Sequence, residues 1–170
     1  PVELHNLIRE KNKINNKSRV VAGYCWDWKS KRDPNAYDIE IPEFGYRAQW
    51  NLSVDGSLWI TAENSIEQVG CIHTCQGLEL DYVGVIIGPD LLRREGKTTC
   101  HPTNRSKQDR SIRGYASAAK RDPNIENRVD LIVRHTYKTL MTRGMKGCFV
   151  HFSDDASNHE LKKIMASTKQ

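Results

Sequence analysis

The stretch Gln68-Val-Gly-Cys-Ile-His-Thr-Cys-Gln-Gly-Leu-Glu-Leu-Asp-Tyr-Val-Gly-Val-Ile-Ile-Gly88 decides the fold. It holds two short apolar runs, 68–74 and 82–88, separated by the seven residues Cys75 to Asp81. Runs of this length, apolar on both faces, read as strands buried on both sides, the habit of a parallel sheet covered by helices. Seven residues are too few for the crossover helix that joins neighbouring parallel strands, which needs about a dozen. A sharp loop with one helical turn fits this gap if the two strands are not adjacent partners.

Working outward, Arg19-Val-Val-Ala-Gly-Tyr-Cys25 is a third run of the same kind, closed by Trp26-Asp-Trp28 and the Asp33-Pro34 breaker. Before it, Leu4, Leu7, Ile8 and Ile14 follow helical spacing. Ile39-Glu-Ile41 precedes Pro42 and is predicted as a short edge strand. Ser57 to Thr61 is another short apolar run. Residues 127–143 carry Val129, Ile132, Val133, Tyr137, Leu140 and Met141 at helical spacing, with Gly144 as a stop. A strand over 147–152 and a short helix through Leu161, Ile164 and Met165 complete the pattern. Strands alternating with helices predict one α/β domain over residues 1–170, a mostly parallel sheet flanked by helices.

The composition sets limits. A chain of 170 residues is one domain by length, 38% apolar and 28% charged. No apolar run nears the ~18 residues of a membrane helix, and the first ten residues lack the pattern of a secretory signal. Membrane, fibrous and disordered classes are excluded, and no membrane partner is expected. The chain opens on Pro1 rather than Met and is read as a fragment or processed piece. Five cysteines at irregular spacing make a poor disulfide framework and point to a reducing cytoplasm. Cys71, His73 and Cys75 alternate like zinc ligands on a strand, but same-face positions lie about 6–7 Å apart, too far for one tetrahedral ion; no metal site is assigned, and a zinc-binding regulatory domain stays a minor alternative.

Charge is unevenly placed. Residues 90–128 hold ten basic and five acidic side chains, which equals the whole net charge of +5, while 48–92 contain no Lys or Arg. A basic, polar insert thus follows a core segment. It is predicted as a mobile excursion outside the sheet, either merely solvated or a surface for phosphate backbone, with Arg105, Lys107, Arg110 and Arg113 as its nucleic-acid contacts.

No Walker A, dinucleotide-binding or nucleophile-elbow pattern occurs, so a self-sufficient ATPase or dehydrogenase is not expected. Two other segments carry polar groups at element boundaries. In Ile72 to Asp81, Gly77 can bring backbone to a phosphate while Gln76 and Glu79 can bond hydroxyls or water; a structural turn with Gly77 at positive φ is the alternative. In Tyr137 to Gly147, Arg143 closes a helix among glycines and Lys146. It can clamp a phosphoryl group bidentately or simply satisfy the helix C-terminus.

Taken together, His73-Thr-Cys-Gln-Gly-Leu-Glu-Leu-Asp-Tyr-Val83 and Leu140-Met-Thr-Arg-Gly144 resemble motifs V/Va and VI of superfamily-one helicases. With Val21 to Trp28, Trp50-Asn-Leu52 and Tyr137 to Gly147, the chain most resembles the Schlafen group 3-like DNA/RNA helicase domain family. That resemblance implies the second, C-terminal RecA-like (P-loop NTPase-type) domain of a two-domain motor, lacking its own phosphate-binding loop. ATP and Mg²⁺ would bind between this domain and an upstream RecA-like partner, and none is expected on this chain alone. Carried over by position, Arg143 is the catalytic arginine finger. Gln76, Gly77, Glu79, Arg143 and Lys146 face nucleotide, and His73 and Thr74 face single-stranded DNA or RNA. The intact protein would be an ATP-dependent helicase or translocase, with this half inactive alone; a non-enzymatic nucleic-acid-binding module on a degenerate helicase fold is the alternative. The sequence departs from the helicase pattern in lacking a Gln-x-Arg element and in having Gly144 where many helicases carry Ala.

Overall fold

The computed structural model describes residues 1–51 and 56–167. In chain order its elements are α1 (Val2–Asn12), β1 (Ser18–Ala22), β2 (Ile39–Ile41), β3 (Tyr46–Ala48), β4 (Val69–Gly70), β5 (Leu80–Ile87), β6 (Leu91–Arg94), β7 (Lys97–Cys100), α2 (Tyr115–Ala118), α3 (Asn124–Met141), β8 (Gly144–Phe152) and α4 (Asp155–Ser167). Four of the strands form a parallel sheet in the order β4-β1-β5-β8. β1 separates β4 from β5, so the nine-residue link 71–79, too short to hold the crossover helix of adjacent parallel strands, joins strands that are not neighbours. The result is the expected α/β layering, consistent with a RecA-like domain.

β1 is buried along its whole length and feeds both faces of the sheet. On one face Val20 and Ala22 join Leu4 and Ile8 of α1, with Ile86, Tyr24 and Trp50. On the other, Val21 joins Val83, Val85 and Ile87 of β5 and the buried stripe Val129, Val133, Tyr137 and Leu140 of α3. The stripe of α1 is narrower than its spacing suggested, since Ile14 lies beyond the helix and is exposed. Gly84 lets α1 lie on the sheet: a Cβ there would stand 2.8 Å from Ile8 Cγ1 and 3.2 Å from Leu4 Cγ.

Two expected strands are cut short by local bonding. The run 68–74 pairs only at Val69 and Gly70, because the Thr74 and Cys75 amides turn back onto Cys71 O, each at 3.1 Å. β1 ends at Ala22, and the following aromatics leave the sheet to gather round the fully buried Trp50, with Tyr24 edge-on to it and Trp26 and Trp28 half-buried against it. The run 57–61 falls in a 3₁₀ segment, Gly56–Thr61, and buries Trp59, whose indole N–H donates to Gln68 Oε1 at 2.8 Å. Leu52 lies outside the described residues.

The basic segment 90–128 contributes no strand to the four-stranded sheet, and it is anchored to the rest of the domain. β6 and β7 form an antiparallel hairpin. Glu160 of α4 accepts from the amides of Glu95 and Gly96 at its tip, and Arg94 makes a two-armed ion pair with Asp154. Beyond the hairpin, Arg105 is wholly buried between Asp90 (2.8 Å) and Asp109 (2.5 Å). Among the described residues no helix is long and apolar enough to cross a membrane.

One buried cation lacks such company. Arg19 has no carboxylate within ion-pairing distance among the described residues, and burial lowers its pKa to about 10. Its guanidinium instead donates to Asn12 Oδ1 (2.6 Å), Asn16 Oδ1 (2.9 Å), Ser65 Oγ (2.8 Å) and the carbonyls of Ser18 and Ile60. It thereby ties the end of α1 and the segment before β4 to the start of β1.

Two histidines are held neutral. His5 is buried; its Nε2–H donates to Ile66 O, so its Nδ1 accepts from Tyr46 Oη. His151, edge-on to Phe44, is depressed to about 4, above all by burial, with Lys162 adding to it. Burial likewise lowers His5.

Two outcomes are expected. Gly84→Ala lowers stability by about 1–3 kcal/mol by overpacking α1 against the sheet, read from urea unfolding. Acidification destabilises: both folded-state pKa values lie below the ordinary 6.5, so the unfolded chain takes up protons first and stability falls as pH drops from about 6.5 towards 4. His151→Gln reduces the steepness of that fall, measured by melting temperature against pH.

Candidate functional site

At the edge where β5 and β8 begin, two segments distant in sequence meet. Leu80 pairs with Gly144, and the Leu80 amide donates to Arg143 O at 2.9 Å. The turn 76–79 and Arg143 therefore enter their strands side by side. Gly77 adopts φ +77°, the left-handed region glycine tolerates, and a Cβ there would meet nothing within 4 Å. Gln76, Gly77 and Glu79 are all exposed. The structural turn and the phosphate approach weighed from sequence are thus compatible: the turn is real, and its outer side is open.

Arg143 is half-buried. Nε donates to Thr139 O at 3.2 Å and Nη1 to Leu78 O at a long 3.4 Å. Among the described residues no carboxylate lies within ion-pairing distance of it. A guanidinium held by its base on carbonyls, with its charge unneutralised, suits an external anion better than a structural ion pair. Burial, and then Cys71, push the neighbouring Cys75 thiol up to about 12, although Arg143 pulls the other way.

Gly144 has a steric reason. A Cβ there would come within 2.3 Å of Gly147 O and 2.9 Å of Val83 Cγ1, so alanine does not fit this start of β8. Lys146 shares the edge, but its ammonium is already spent on Asp81 at 2.7 Å, a carboxylate that Asn15 also contacts. That pair raises Lys146 and lowers Asp81. Lys146 thus reaches an added anion only by giving up Asp81.

His73 is exposed, while Thr74 is partly covered and donates to Oδ1 of the buried Asn51 at 2.7 Å. Asn51 in turn donates its amide to Val69 O at 2.9 Å. This link between the Trp50-Asn51 segment and the turn has no local signal in sequence, because its partners stand 23 residues apart. Cys71 and Cys75 close a single helical turn rather than sharing a strand face, and among the described residues no three His, Cys, Asp or Glu side chains gather as metal ligands.

The basic candidates lie elsewhere. Asp90, which anchors them, follows the end of β5, so β5 separates them from Arg143 by about 26 Å at ~3.3 Å per residue. Lys107, Arg110 and Arg113 are exposed. Arg105 is not: its side chain is 1% accessible and bonded to two carboxylates. It is removed from the nucleic-acid contacts and becomes the anchor that presents the other three.

Replacing Thr74 by Val should leave Asn51 Oδ1 buried without its donor and cost about 1–3 kcal/mol, whereas Thr74→Ser should restore most of that stability; chemical denaturation distinguishes the two.

The model of the family "Schlafen group 3, DNA/RNA helicase domain" matches residues 1–154. The chain is also 24% identical over 153 residues to "Uncharacterized protein YPL245W" of Saccharomyces cerevisiae. That match covers 89% of this chain and 32% of the yeast protein, so the chain spans about a third of the length of its curated relative. No solved structure matches significantly. With a family match over most of its length, a parallel α/β sheet, and the turn 76–79 set against Arg143, the chain belongs to the Schlafen group 3 DNA/RNA helicase domain family.

Proposed function

We propose that this domain is the second RecA-like half of an ATP-dependent DNA or RNA motor, supplying an arginine finger and a nucleic-acid surface to a partner half that carries the phosphate loop. The observation that carries the reading is the unneutralised Arg143 guanidinium beside the open Gly77 turn, both fixed by the Leu80–Arg143 backbone bond. When bound, ATP with Mg²⁺ supplies the phosphoryl group whose transfer drives such motors. Arg143 then offers a planar fork to the charge that develops on that group. Gly77 admits backbone close to phosphate, and Glu79 and Gln76, exposed on the same turn, offer acceptors and donors to hydroxyls and water. His73, at the start of the turn, and the exposed Lys107, Arg110 and Arg113 serve the single strand, the latter through phosphate charge. Five free thiols suit the reducing cytoplasm in which we place the protein.

The isolated chain is expected to hydrolyse no ATP, because Arg143 and Glu79 form only one wall of a cleft; magnesium-dependent turnover by it in a phosphate-release assay contradicts this reading. In the intact protein, Arg143→Lys should keep nucleotide affinity and lower kcat, by up to the ~10³–10⁵ that fingers contribute in GTPases. Unchanged kcat in a folded variant returns Arg143 to a helix-capping role.

A further inference from the structure

In open α/β sheets ligands usually enter at the strand C-termini, where the chain reverses its direction of winding. Here β1 leads on to β4 at one side and β5 to β8 at the other, so that crevice lies between the ends of β1 and β5. It is filled by the chain's own polar side chains. Tyr137 of α3 reaches between the glycines that follow the two strands: a Cβ on Gly23 would stand 2.0 Å from its hydroxyl, and one on Gly88 2.4 Å from the neighbouring Cys25 Sγ. The hydroxyl accepts from the Gly88 amide at 2.8 Å and donates to Asp90 Oδ1. The other oxygen of Asp90 takes Arg105 Nη1, and Arg105 Nε takes Asp109. Asp109 then accepts from the amide and hydroxyl of Ser111. From Tyr137 to Asp109 the network is buried, and it surfaces at the exposed Ser111; Arg105 and Asp109 alternate along the chain with the exposed Lys107, Arg110 and Arg113. At its other end sits α3, whose last turns lead straight to Arg143.

Resting on the function proposed above, we infer that Tyr137, Asp90 and Arg105 form a rigid link through which phosphate contacts at Lys107, Arg110 and Arg113 set the position of Arg143, with Tyr137 as its positioning residue. The joints Tyr137–Asp90, Asp90–Arg105 and Arg105–Asp109 are a hydrogen bond and two ion pairs buried in the domain, where a small displacement of one partner moves the next rather than being absorbed by solvent. Burial, reinforced by Cys25 and Asp90, raises the Tyr137 phenol far above its ordinary range, so it stays a donor. Asp90 and Asp109 hold Arg105 charged against the opposing effect of burial.

Amide hydrogen exchange on the 170-residue chain tests the link, with saturating fluorescein-labelled single-stranded oligo(dT) or oligo(U) as the probe. In the wild type, binding slows exchange over residues 138–144 as well as over 105–113. In Tyr137→Phe, which keeps the ring, oligonucleotide affinity stays near the wild-type value and 105–113 still respond, but the slowing over 138–144 is lost. A merely structural Tyr137 would speed exchange equally with and without the strand and leave the difference intact, which overturns the link. Arg105→Lys keeps the charge but reaches one carboxylate only, and is expected to lose most of the transmitted slowing; a full response there also overturns it. If the wild-type chain binds neither oligonucleotide, the proposed function fails and the link with it, a result distinct from binding without transmission.

Discussion

β5 is hydrogen-bonded on both edges, to β1 from Tyr82 to Ile86 and to β8 from Leu80 to Ile87, and almost everything else in the domain takes its position from that strand. Its start fixes Arg143 beside the Gly77 turn, its middle glycine seats α1, and its end delivers Asp90 to the buried triad. A central parallel strand has no freedom to slide, since a slip by one residue would exchange its two buried faces. The Gly77 turn with Arg143 at one end and the basic segment at the other are thus carried on one common strand.

Much of this was legible in the residues. The runs 68–74 and 82–88 read as buried strands, and their short link excluded a crossover helix between them; that β1 lies between the two came from the structure. The meeting of Gly77 with Arg143 followed from the family resemblance of the two motifs, not from spacing, and the Leu80–Arg143 bond gives it a physical cause. What escaped was set by contacts between distant residues. Nothing local tells that the Thr74 hydroxyl donates to Asn51 or that Tyr137 reaches past Gly23 to Asp90. Strand lengths were overread where Cys71 and Tyr24 carry apolar character into turns, since apolarity reports burial rather than extension.

Arg105 shows how charge misleads when it is counted by segment. Among ten basic residues in a polar stretch it looked like its neighbours, and it is the one whose partners remove it from solvent. Burying a cation between two carboxylates is tolerated only while all three remain, since loss of one leaves charge uncompensated in the interior. The segment is therefore polar in composition yet joined to the end of β5 through buried groups.

The notch that admits Tyr137 also constrains what related sequences can contain. Its hydroxyl fills the space that a side chain on residue 23 would need, and Cys25 fills the space at residue 88. Four positions spread over more than a hundred residues thus form one steric unit: a homologue with a β-carbon at position 23 must shorten the residue at 137, and one with a β-carbon at 88 must also shrink residue 25. Covariation among 23, 25, 88 and 137 would be the evolutionary trace of that shared volume, and a homologue keeping both glycines but losing the tyrosine would carry an open crevice at the same place.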